Sequence, residues 1–219
     1  SELQMGSCVD NSNTELRSKH IIFLTRKVCS EIPNINRFSK YFRLKRATAW
    51  VRRYVQNLLR KIKNMDPIKG ELSVEEEAWA EVHLCLHVQG RTFGDEIWDI
   101  QQHGCVNINS TIKTLNPFVG SDGLLRVSGR IENAPCLSSE AKKPIILPSK
   151  HPFTRLLVES YHLKFCHINI STVMSEVRLR FWVPSLRRLL NSIQSRCQIC
   201  RIRRTKPRQP QMAPLPIDR

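Results

Sequence analysis

The sequence predicts an α+β fold that is mainly helical and contains a small antiparallel β-hairpin or sheet. Apolar residues recur at helical spacing in one segment, at positions 47, 50, 51, 54, 55, 58, 59 and 62. A capping box begins at Ser73 and continues to Glu76, so a second helix is expected to start there. Two apolar runs flank Asp122 and Gly123, a dipeptide typical of the turn of a β-hairpin.

The composition indicates a globular chain with a polyanionic partner. The 219 residues include 35 Lys+Arg and 19 Asp+Glu, which gives a formal net charge of +16. A surplus of this size points to nucleic acid. The hydrophobic fraction of 41% is enough for a core. No apolar run approaches the roughly 18 residues that span a bilayer, so no membrane partner is expected.

The chain ends and the cysteines suggest a fragment of an intracellular protein. The first residues contain no initiator Met and no signal-peptide pattern, so we expect a piece of a longer protein. Of the eight cysteines, only Cys197 and Cys200 form a closely spaced pair. Disulfide frameworks belong to small, cysteine-dense chains with little core, so we expect free thiols in a reducing compartment.

The N-terminal part divides into a tether and a basic helix. Residues 1–36 are polar and are expected to be a tether or the edge of a preceding domain. Residues 37–66 are predicted to form a basic amphipathic helix, with ten basic residues and no acidic one between positions 37 and 63. Trp50 and Tyr54 are expected to pack it against the rest of the chain. Its charged side is either a solvated face or a surface that lies along a nucleic-acid backbone.

Residues 71–150 are predicted to form a connector of helices and a hairpin. The helix after Ser73 should run to about Gln89, with Gly90 as its C-terminal cap. A short helix should follow at 93–100, then the hairpin at 118–131. A short strand at 144–148 could join that hairpin.

Three potential ligands in the predicted second helix do not form a convincing metal site. His83 and His87 are one helical turn apart and could face one ion. Cys85 points to a different face, and no fourth ligand is evident. We therefore interpret all three as surface and core residues.

The segment 151–205 contains a complete ligand set for one structural zinc ion. His162 and His167 have four residues between them, and Cys197 and Cys200 have two. Two imidazoles and two thiolates satisfy tetrahedral zinc. The common zinc finger has its Cys pair first, whereas here the His pair comes first.

Three short helices are expected to carry these ligands. The first should span about 154–162 and the second about 171–180. Residues 181–183 read as a hydrophobic plug, and Pro184 fits the first position of the third helix. The fold class therefore includes a C-terminal three-helix zinc-binding domain, which we expect to depend on zinc for folding because its core is small. Residues 206–219 are predicted to be a Pro-rich linker.

The ligand order and several short sequence motifs resemble a known family. The motifs are Arg-Phe-Ser at 37–39, Ala-Thr-Ala-Trp-Val at 47–51, Leu-Asn-Pro-Phe at 115–118, Gly-Leu-Leu-Arg-Val-Ser-Gly-Arg at 123–130, Ile-Leu-Pro at 146–148 and Met-Ala-Pro-Leu-Pro at 212–216. The His-His-Cys-Cys segment resembles the N-terminal zinc-binding domain of retroviral and retrotransposon integrases. Residues 37–219 as a whole resemble the Pol polyprotein of BEL/Pao-type LTR retrotransposons.

The resemblance implies a non-catalytic role in DNA integration. Reverse transcriptase and ribonuclease H would lie upstream, and an integrase core with three metal-binding carboxylates would lie beyond Arg219. We therefore expect no catalytic residue and no strand-transfer activity in this chain. Two carboxylate pairs, Asp95 with Glu132 and Asp122 with Glu159, have a similar spacing. They precede or overlap the zinc ligands, so we interpret them as chance.

The implied partners are DNA (element ends or target), other integrase copies and other Pol domains, in a cytoplasmic particle and the nucleus. The residues expected to contact DNA phosphates are Arg187, Arg188, Arg201, Arg203, Arg204 and Lys206. Asn169 replaces the family's usual Gly two residues after the second His, and we expect it to keep the left-handed turn. Cys166 could compete with His167 as a ligand, but His167 fits the family spacing and Cys166 could pack as a small apolar residue.

Two other functions are compatible with the sequence. Residues 37–150 could be a structural connector between ribonuclease H and integrase that binds no DNA. In that case the basic helix would pack on another Pol domain. Alternatively, the chain could be a stand-alone zinc DNA-binding protein derived from a domesticated element.

Overall fold

The computed structural model describes residues 33–108, 110–129, 134–135, 137–167, 169–206 and 212. Most of the predicted tether and most of the Pro-rich linker lie outside these residues. The helices are α1 (Tyr41–Ile62), α2 (Val74–Thr92), α3 (Gly94–His103), α4 (Ser139–Lys142), α5 (Pro152–Lys164), α6 (Ile170–Arg178), α7 (Leu186–Arg196) and α8 (Gln198–Arg204), with 3-10 helices at Ile35–Arg37 and Lys113–Leu115. The strands are β1 (Pro117–Val119), β2 (Leu125–Val127), β3 (Ile145–Ile146) and β4 (Phe181–Trp182). The predicted α+β class, mainly helical with a small sheet, is confirmed.

Helix α1 forms where the basic helix was predicted, but it buries a different face. Its buried residues are Tyr41, Leu44, Thr48, Ala49, Arg53 and Val55. Trp50 is 45% exposed and Tyr54 is 62% exposed, so the expectation that they pack the helix was wrong. The shift follows from Arg53, which is buried because Glu76 of α2 neutralises it. Burying Arg53 rotates Trp50 and Tyr54 towards solvent.

Helix α2 begins at the predicted capping box. The Glu76 amide donates to the Ser73 hydroxyl at 3.2 Å, and the Ser73 amide donates to the Glu76 carboxylate at 2.8 Å. The helix does not end at Gly90 as predicted but continues to Thr92. The C-terminal glycine cap belongs instead to α3, where Gly104 has φ 69°.

The four strands form a mixed sheet in the order β1-β2-β3-β4. The predicted hairpin is present, with Phe118 opposite Arg126 in β1 and β2. Asp122 is a turn residue, as expected: its carboxylate accepts from the Leu124 amide at 3.2 Å and pairs with Arg126 at 2.7 Å. Strand β3 joins β2 in antiparallel pairing.

Strand β4 adds a parallel edge that the sequence did not predict. Ile145 pairs with Phe181, and Ile146 pairs with Trp182. Residues 181–183 were expected to be only a hydrophobic plug, which was incomplete, because the backbone of 181–182 also extends the sheet. Helices α5 and α6 connect β3 to β4, so the sheet holds the start of α5 and the start of α7 close together.

One hydrophobic cluster joins the first half of the chain to the predicted zinc segment. It includes Leu44 of α1, Leu84 of α2, Phe153 of α5, Val177 of α6 and Leu190 of α7. The boundary predicted at 150/151 therefore crosses a continuous core. Among the described residues, no helix combines the length and apolar character needed to cross a membrane.

Candidate metal centre

The last turn of α5 brings both histidines to one point. His162 lies in that turn, and the chain then reverses through Cys166 (φ 50°) and His167 (φ 62°), both left-handed. The His167 amide donates to the His162 carbonyl at 3.1 Å, and the Cys166 amide donates to the Leu163 carbonyl at 3.0 Å. These two bonds are those of a Schellman motif. The motif therefore holds the His167 ring beside the His162 ring.

The junction between α7 and α8 brings the two cysteines to the same point. Cys197 is the C-cap of α7 and the N-cap of α8, and Cys200 follows in the first turn of α8. The Arg201 amide donates to the Cys197 carbonyl at 3.0 Å. Cys200 is 3% exposed, and so is His162. The junction thus directs both sulfur atoms towards the imidazoles.

The four donor atoms lie close enough together to bind one metal ion. His167 Nδ1 lies 2.9 Å from His162 Nε2, and Cys197 Sγ lies 3.2 Å from His167 Nδ1. Cys200 Sγ lies 3.4 Å from His162 Nε2, and all four donors lie within 4.8 Å of one another. Ordinary zinc–nitrogen and zinc–sulfur bond lengths imply tetrahedral edges of about 3.3–3.8 Å. The donor set therefore fits zinc, with the distance from His167 to His162 and the distance from His167 to Cys197 slightly shorter than these edges.

The surroundings suit neutral imidazole ligands. Burial and the neighbouring His167 ring lower the pKa of His162, which favours the unprotonated form that binds metal. Burial and the Cys197 thiol raise the pKa of Cys200, while Gln194 and Arg204 act in the opposite direction. A bound dication would keep both sulfurs deprotonated.

The two departures from the family pattern are resolved only partly as expected: His167, rather than Cys166, belongs to the donor cluster. Cys166 is exposed, its sulfur is outside the donor cluster, and it does not pack as a small apolar residue. Its backbone matters instead, because it takes the left-handed position of the turn. Asn169 was expected to hold that position, but it has φ −49° and caps α6 by accepting from the Ser171 amide at 3.4 Å.

The helix boundaries also differ slightly from prediction. Helix α7 begins at Leu186 rather than Pro184, because Ser185 takes a left-handed conformation with φ 56° and stands outside the helix as its N-cap. The residues after Cys197 form the short helix α8, which was not predicted.

All six residues expected to contact DNA are exposed. Arg187 and Arg188 lie in the first turn of α7, and the other four lie in or just after α8: Arg201, Arg203, Arg204 and Lys206. Two of them also have partners within the chain. Arg203 donates to the Cys166 carbonyl at 3.4 Å, and Arg204 donates to Gln194.

Gln194 is a site residue that the sequence analysis missed. It is 9% exposed, links Arg204 to the environment of Cys200, and lies on the side of α7 that faces the metal centre. The available signal was its place one turn after the apolar Leu190, on the buried side of α7.

The other candidate ligands do not gather into a second site among the described residues. Cys85 is fully buried, which raises its pKa, and the His83 ring stacks on Trp79 with ring centroids 4.5 Å apart. The interpretation of His83, Cys85 and His87 as surface and core residues is therefore supported. Glu132, one partner of the Asp95 pair, lies outside the described residues.

Comparison with known proteins identifies the region that surrounds this centre. Residues 150–206 match the model of the protein family described as the integrase zinc binding domain. No curated protein and no solved structure matches the chain. The family match and the His2Cys2 cluster are consistent with one structural Zn²⁺ site, and they relate this part of the chain to integrases.

Proposed function

We propose that this chain is a zinc-stabilised DNA-binding and assembly module of an integrase, with His162, His167, Cys197 and Cys200 as the zinc ligands. The observation that carries the proposal is the convergence of these four donors within the segment that matches the integrase zinc binding domain. We further propose that the parent is the Pol polyprotein of a BEL/Pao-type LTR retrotransposon, because the short sequence motifs outside residues 150–206 resemble those polyproteins.

In this proposal the zinc ion connects the end of α5 to the start of α8. Only one residue of α8, Cys200, is buried, so the short helix has little apolar contact of its own. Helices α5, α6 and α7 share the large core with α1 and α2. Metal removal should therefore release α8 and the turn at His167 but leave α5, α6 and α7 folded. The sequence had led us to expect that the whole zinc-binding domain needs zinc to fold.

The proposed DNA surface combines the start of α7 with α8. Its members are Arg187, Arg188, Arg201, Arg203, Arg204 and Lys206, all exposed. Between residues 176 and 208 the chain has ten basic residues and one acidic residue, Glu176. Phosphate contacts of this kind give affinity and orientation but little sequence preference.

Self-association is the second part of the proposed role. Ile199 and Ile202 lie on α8 and are 46% and 66% exposed. Exposed branched apolar side chains close to a rigid metal site suit contact with another copy. We propose that strand transfer itself belongs to a catalytic core in the parent polyprotein, and that the module acts with it in a cytoplasmic particle and the nucleus.

The alternative of a purely structural connector has partial support from α1. Lys45 pairs with Glu77 at 3.4 Å and with Glu81 at 3.6 Å, and Arg53 pairs with Glu76. Part of the positive charge of α1 is therefore used for packing within the chain. These contacts concern the side of α1 that faces α2 and leave the surface of α7 and α8 unaffected. A domesticated stand-alone DNA-binding protein would use the same surface.

A duplex-binding titration tests the proposed function. The complete chain is used, because the core crosses residue 150 and separate halves would each lose part of it. Fluorescence anisotropy with a labelled 20-base-pair duplex is measured at several salt concentrations. Substituting Arg187→Ala and Arg188→Ala together should weaken binding and lower the slope of log K against log salt by about 1.8. Arg196→Ala, an exposed arginine of α7 outside the proposed set, should change the slope much less.

Metal content and duplex affinity should also change together. The protein should contain one zinc per chain, and chelation should weaken duplex binding because α8 carries three of the six proposed contacts. A chain without zinc, or a double arginine variant that binds as tightly as the unsubstituted protein, would refute the proposal.

A further inference from the structure

Helix α1 exposes a face that carries both aromatic and basic residues. Arg46, Trp50 and Tyr54 follow one another at four-residue spacing, which places them on one side of the helix. Arg43 and Lys61 continue the same side, because Arg43 lies two helical turns before Trp50 and Lys61 lies two turns after Tyr54. The row is about 27 Å long at 1.5 Å per residue. It lies opposite the buried face formed by residues such as Leu44 and Val55.

This outer face keeps its positive charge. The inner cations of α1 are neutralised by α2, where Lys45 meets Glu77 and Glu81, and Arg53 meets Glu76. Arg43, Arg46 and Lys61 are exposed and form no ion pair with any described residue. Because residues 37–63 contain no acidic side chain, the outer face is complementary to a polyanion.

Trp50 is held in place from below by a buried arginine. The Arg53 guanidinium lies 4.9 Å from the centre of the Trp50 ring. Arg53 is itself fixed, since it donates to Glu76 and to the carbonyls of Gly70 and Glu71, both at 2.6 Å. The ring is thus supported on one side while the residue remains 45% exposed. A supported, exposed indole loses little conformational entropy when a flat ligand stacks on it.

Tyr54 borders an open apolar groove one turn further along. The groove has a volume of ≈ 480 Å³, and its lining includes Tyr54, Leu58, Lys61, Met65 and Pro67. Met65 is 51% exposed, so the groove is accessible from solvent. A planar apolar group can lie against Tyr54 while an attached anion reaches Lys61.

We propose that this face of α1, comprising Arg43, Arg46, Trp50, Tyr54 and Lys61, binds single-stranded nucleic acid. Bases stack on Trp50 and Tyr54, and the sugar-phosphate backbone runs along the three cations. A duplex would use the cations but leave the aromatic rings without stacking partners, because its bases are already paired. This site is separate from α7 and α8 and lies outside the segment that matches the integrase family.

The test compares strands, duplexes and matched tryptophan variants of the complete chain. Labelled 20-nucleotide oligo-dT and oligo-U are titrated by fluorescence anisotropy, beside a 20-base-pair duplex. Trp50→Ala and Tyr54→Ala should each weaken strand binding about tenfold. Trp98→Ala removes another exposed tryptophan, 57% exposed on α3, and should leave strand binding unchanged. Circular dichroism and the melting temperature check that all variants fold.

A second pair of variants tests the phosphate contacts. Arg43→Ala with Arg46→Ala should lower the salt slope for single strands by about 1.4. Trp50→Ala and Tyr54→Ala should change the affinity for the duplex by less than about twofold. Arg187→Ala with Arg188→Ala should weaken binding of the duplex more than binding of single strands. Comparable affinity for oligo-dT and oligo-U indicates stacking without sugar recognition, and a preference for one identifies the strand chemistry.

Three results would overturn the proposal. One is the absence of strand binding by the unsubstituted chain at low salt. Another is equal strand affinity for Trp50→Ala, Tyr54→Ala and Trp98→Ala. The third is that Trp50→Ala and Tyr54→Ala leave strand binding unchanged but abolish self-association measured by sedimentation. That result would make the aromatic face a protein contact. Failure of duplex binding at α7 and α8 would leave this proposal standing, because the two surfaces are measured with different variants.

Discussion

The backbones of His167 and His162 are joined by a hydrogen bond, and their side chains lie next to each other. The His167 amide donates to the His162 carbonyl at 3.1 Å, and Nδ1 of His167 lies 2.9 Å from Nε2 of His162. The same helix-terminating motif that satisfies the last carbonyls of α5 therefore sets the distance between two ligands. The backbone of the turn therefore contributes to the spacing of two of the four ligands.

The ligand set predicts a sharp contrast between neighbouring cysteines and histidines. His167→Ala and Cys200→Ser each remove one donor and should lower zinc affinity more than about a hundredfold. Cys166→Ser changes the residue next to His167 but removes no donor, so zinc content should stay at one per chain. Metal analysis after dialysis measures the content, and competition with a chelator dye measures the affinity. Zinc loss in Cys166→Ser with retention in His167→Ala would reverse the assignment.

Hydrogen exchange can locate the effect of zinc. Chelation should speed exchange of the amides in α8 and of the His167 amide, while core amides of α5 near Leu157 stay protected. The reason is that Leu157 packs in the shared core, whereas α8 buries only Cys200. Uniform loss of protection across α5, α6 and α7 would contradict this local role.

The left-handed conformation of Cys166 predicts a ranking of substitutions. With φ 50°, Cys166→Gly should keep or slightly raise stability, because glycine adopts this region without steric cost. Cys166→Val should be less stable than Cys166→Gly by about 1–2 kcal/mol, because a β-branched side chain crowds the backbone there. Urea denaturation of zinc-loaded protein measures the difference. Equal stability of the two variants would indicate that the turn differs from the one described.

Features that depend on neighbouring residues were predictable from the sequence. The capping box at Ser73 and the hairpin turn at Asp122 rest on short spacings with a direct chemical meaning. The ligand set rests on two such spacings, one within the His pair and one within the Cys pair. The mainly helical α+β class follows from the same local patterns. Each of these patterns is compatible with few local structures, so the sequence alone was sufficient to predict them.

Features that depend on distant partners were not predictable. Burial of Arg53 requires Glu76 and two carbonyls of another segment, and it accompanies a rotation of α1 that leaves Trp50 exposed. The parallel pairing of Ile145 with Phe181 requires α5 and α6 to return the chain to the sheet. The periodicity of a sequence indicates that a helix has an apolar side, but it does not indicate which residues of that side pack against another element.

A buried glutamine predicts a large loss of stability far from the metal. Gln89 of α2 is fully buried and donates to the carbonyls of Leu125 and Ile146 at 2.9 and 2.7 Å. Its side-chain oxygen accepts from the Leu125 amide at 2.9 Å. Gln89→Met keeps a similar volume but removes three hydrogen bonds, so unfolding should become easier by about 2–4 kcal/mol. Gln101→Met, at an exposed position of α3, should cost less than about 0.5 kcal/mol. Similar urea midpoints for the two variants would show that Gln89 does not connect α2 to the sheet.

The Arg53–Glu76 pair predicts a specific dependence of stability on pH. The hydrogen bond from Arg53 lowers the pKa of Glu76 from 4.5 to about 2. A lowered folded-state pKa contributes stability that is fully present above the unfolded value and is lost as the pH falls through the folded value. The contribution of Glu76 should therefore decrease between about pH 4.5 and pH 2.

Glu76→Gln measures this contribution by difference. At pH 7 the variant should melt about 4–8 °C below the unsubstituted chain, because Arg53 stays buried without its charged partner. As the pH falls towards 2, the gap should shrink, since Glu76 becomes protonated in both folded and unfolded chains. Zinc loss in acid affects both proteins and cancels in the difference. Glu75→Gln, an exposed neighbour in the same turn, should show only a small gap at every pH. A gap for Glu76→Gln that stays constant from pH 7 to pH 2 would mean that the negative charge of the Glu76 carboxylate does not stabilise the fold.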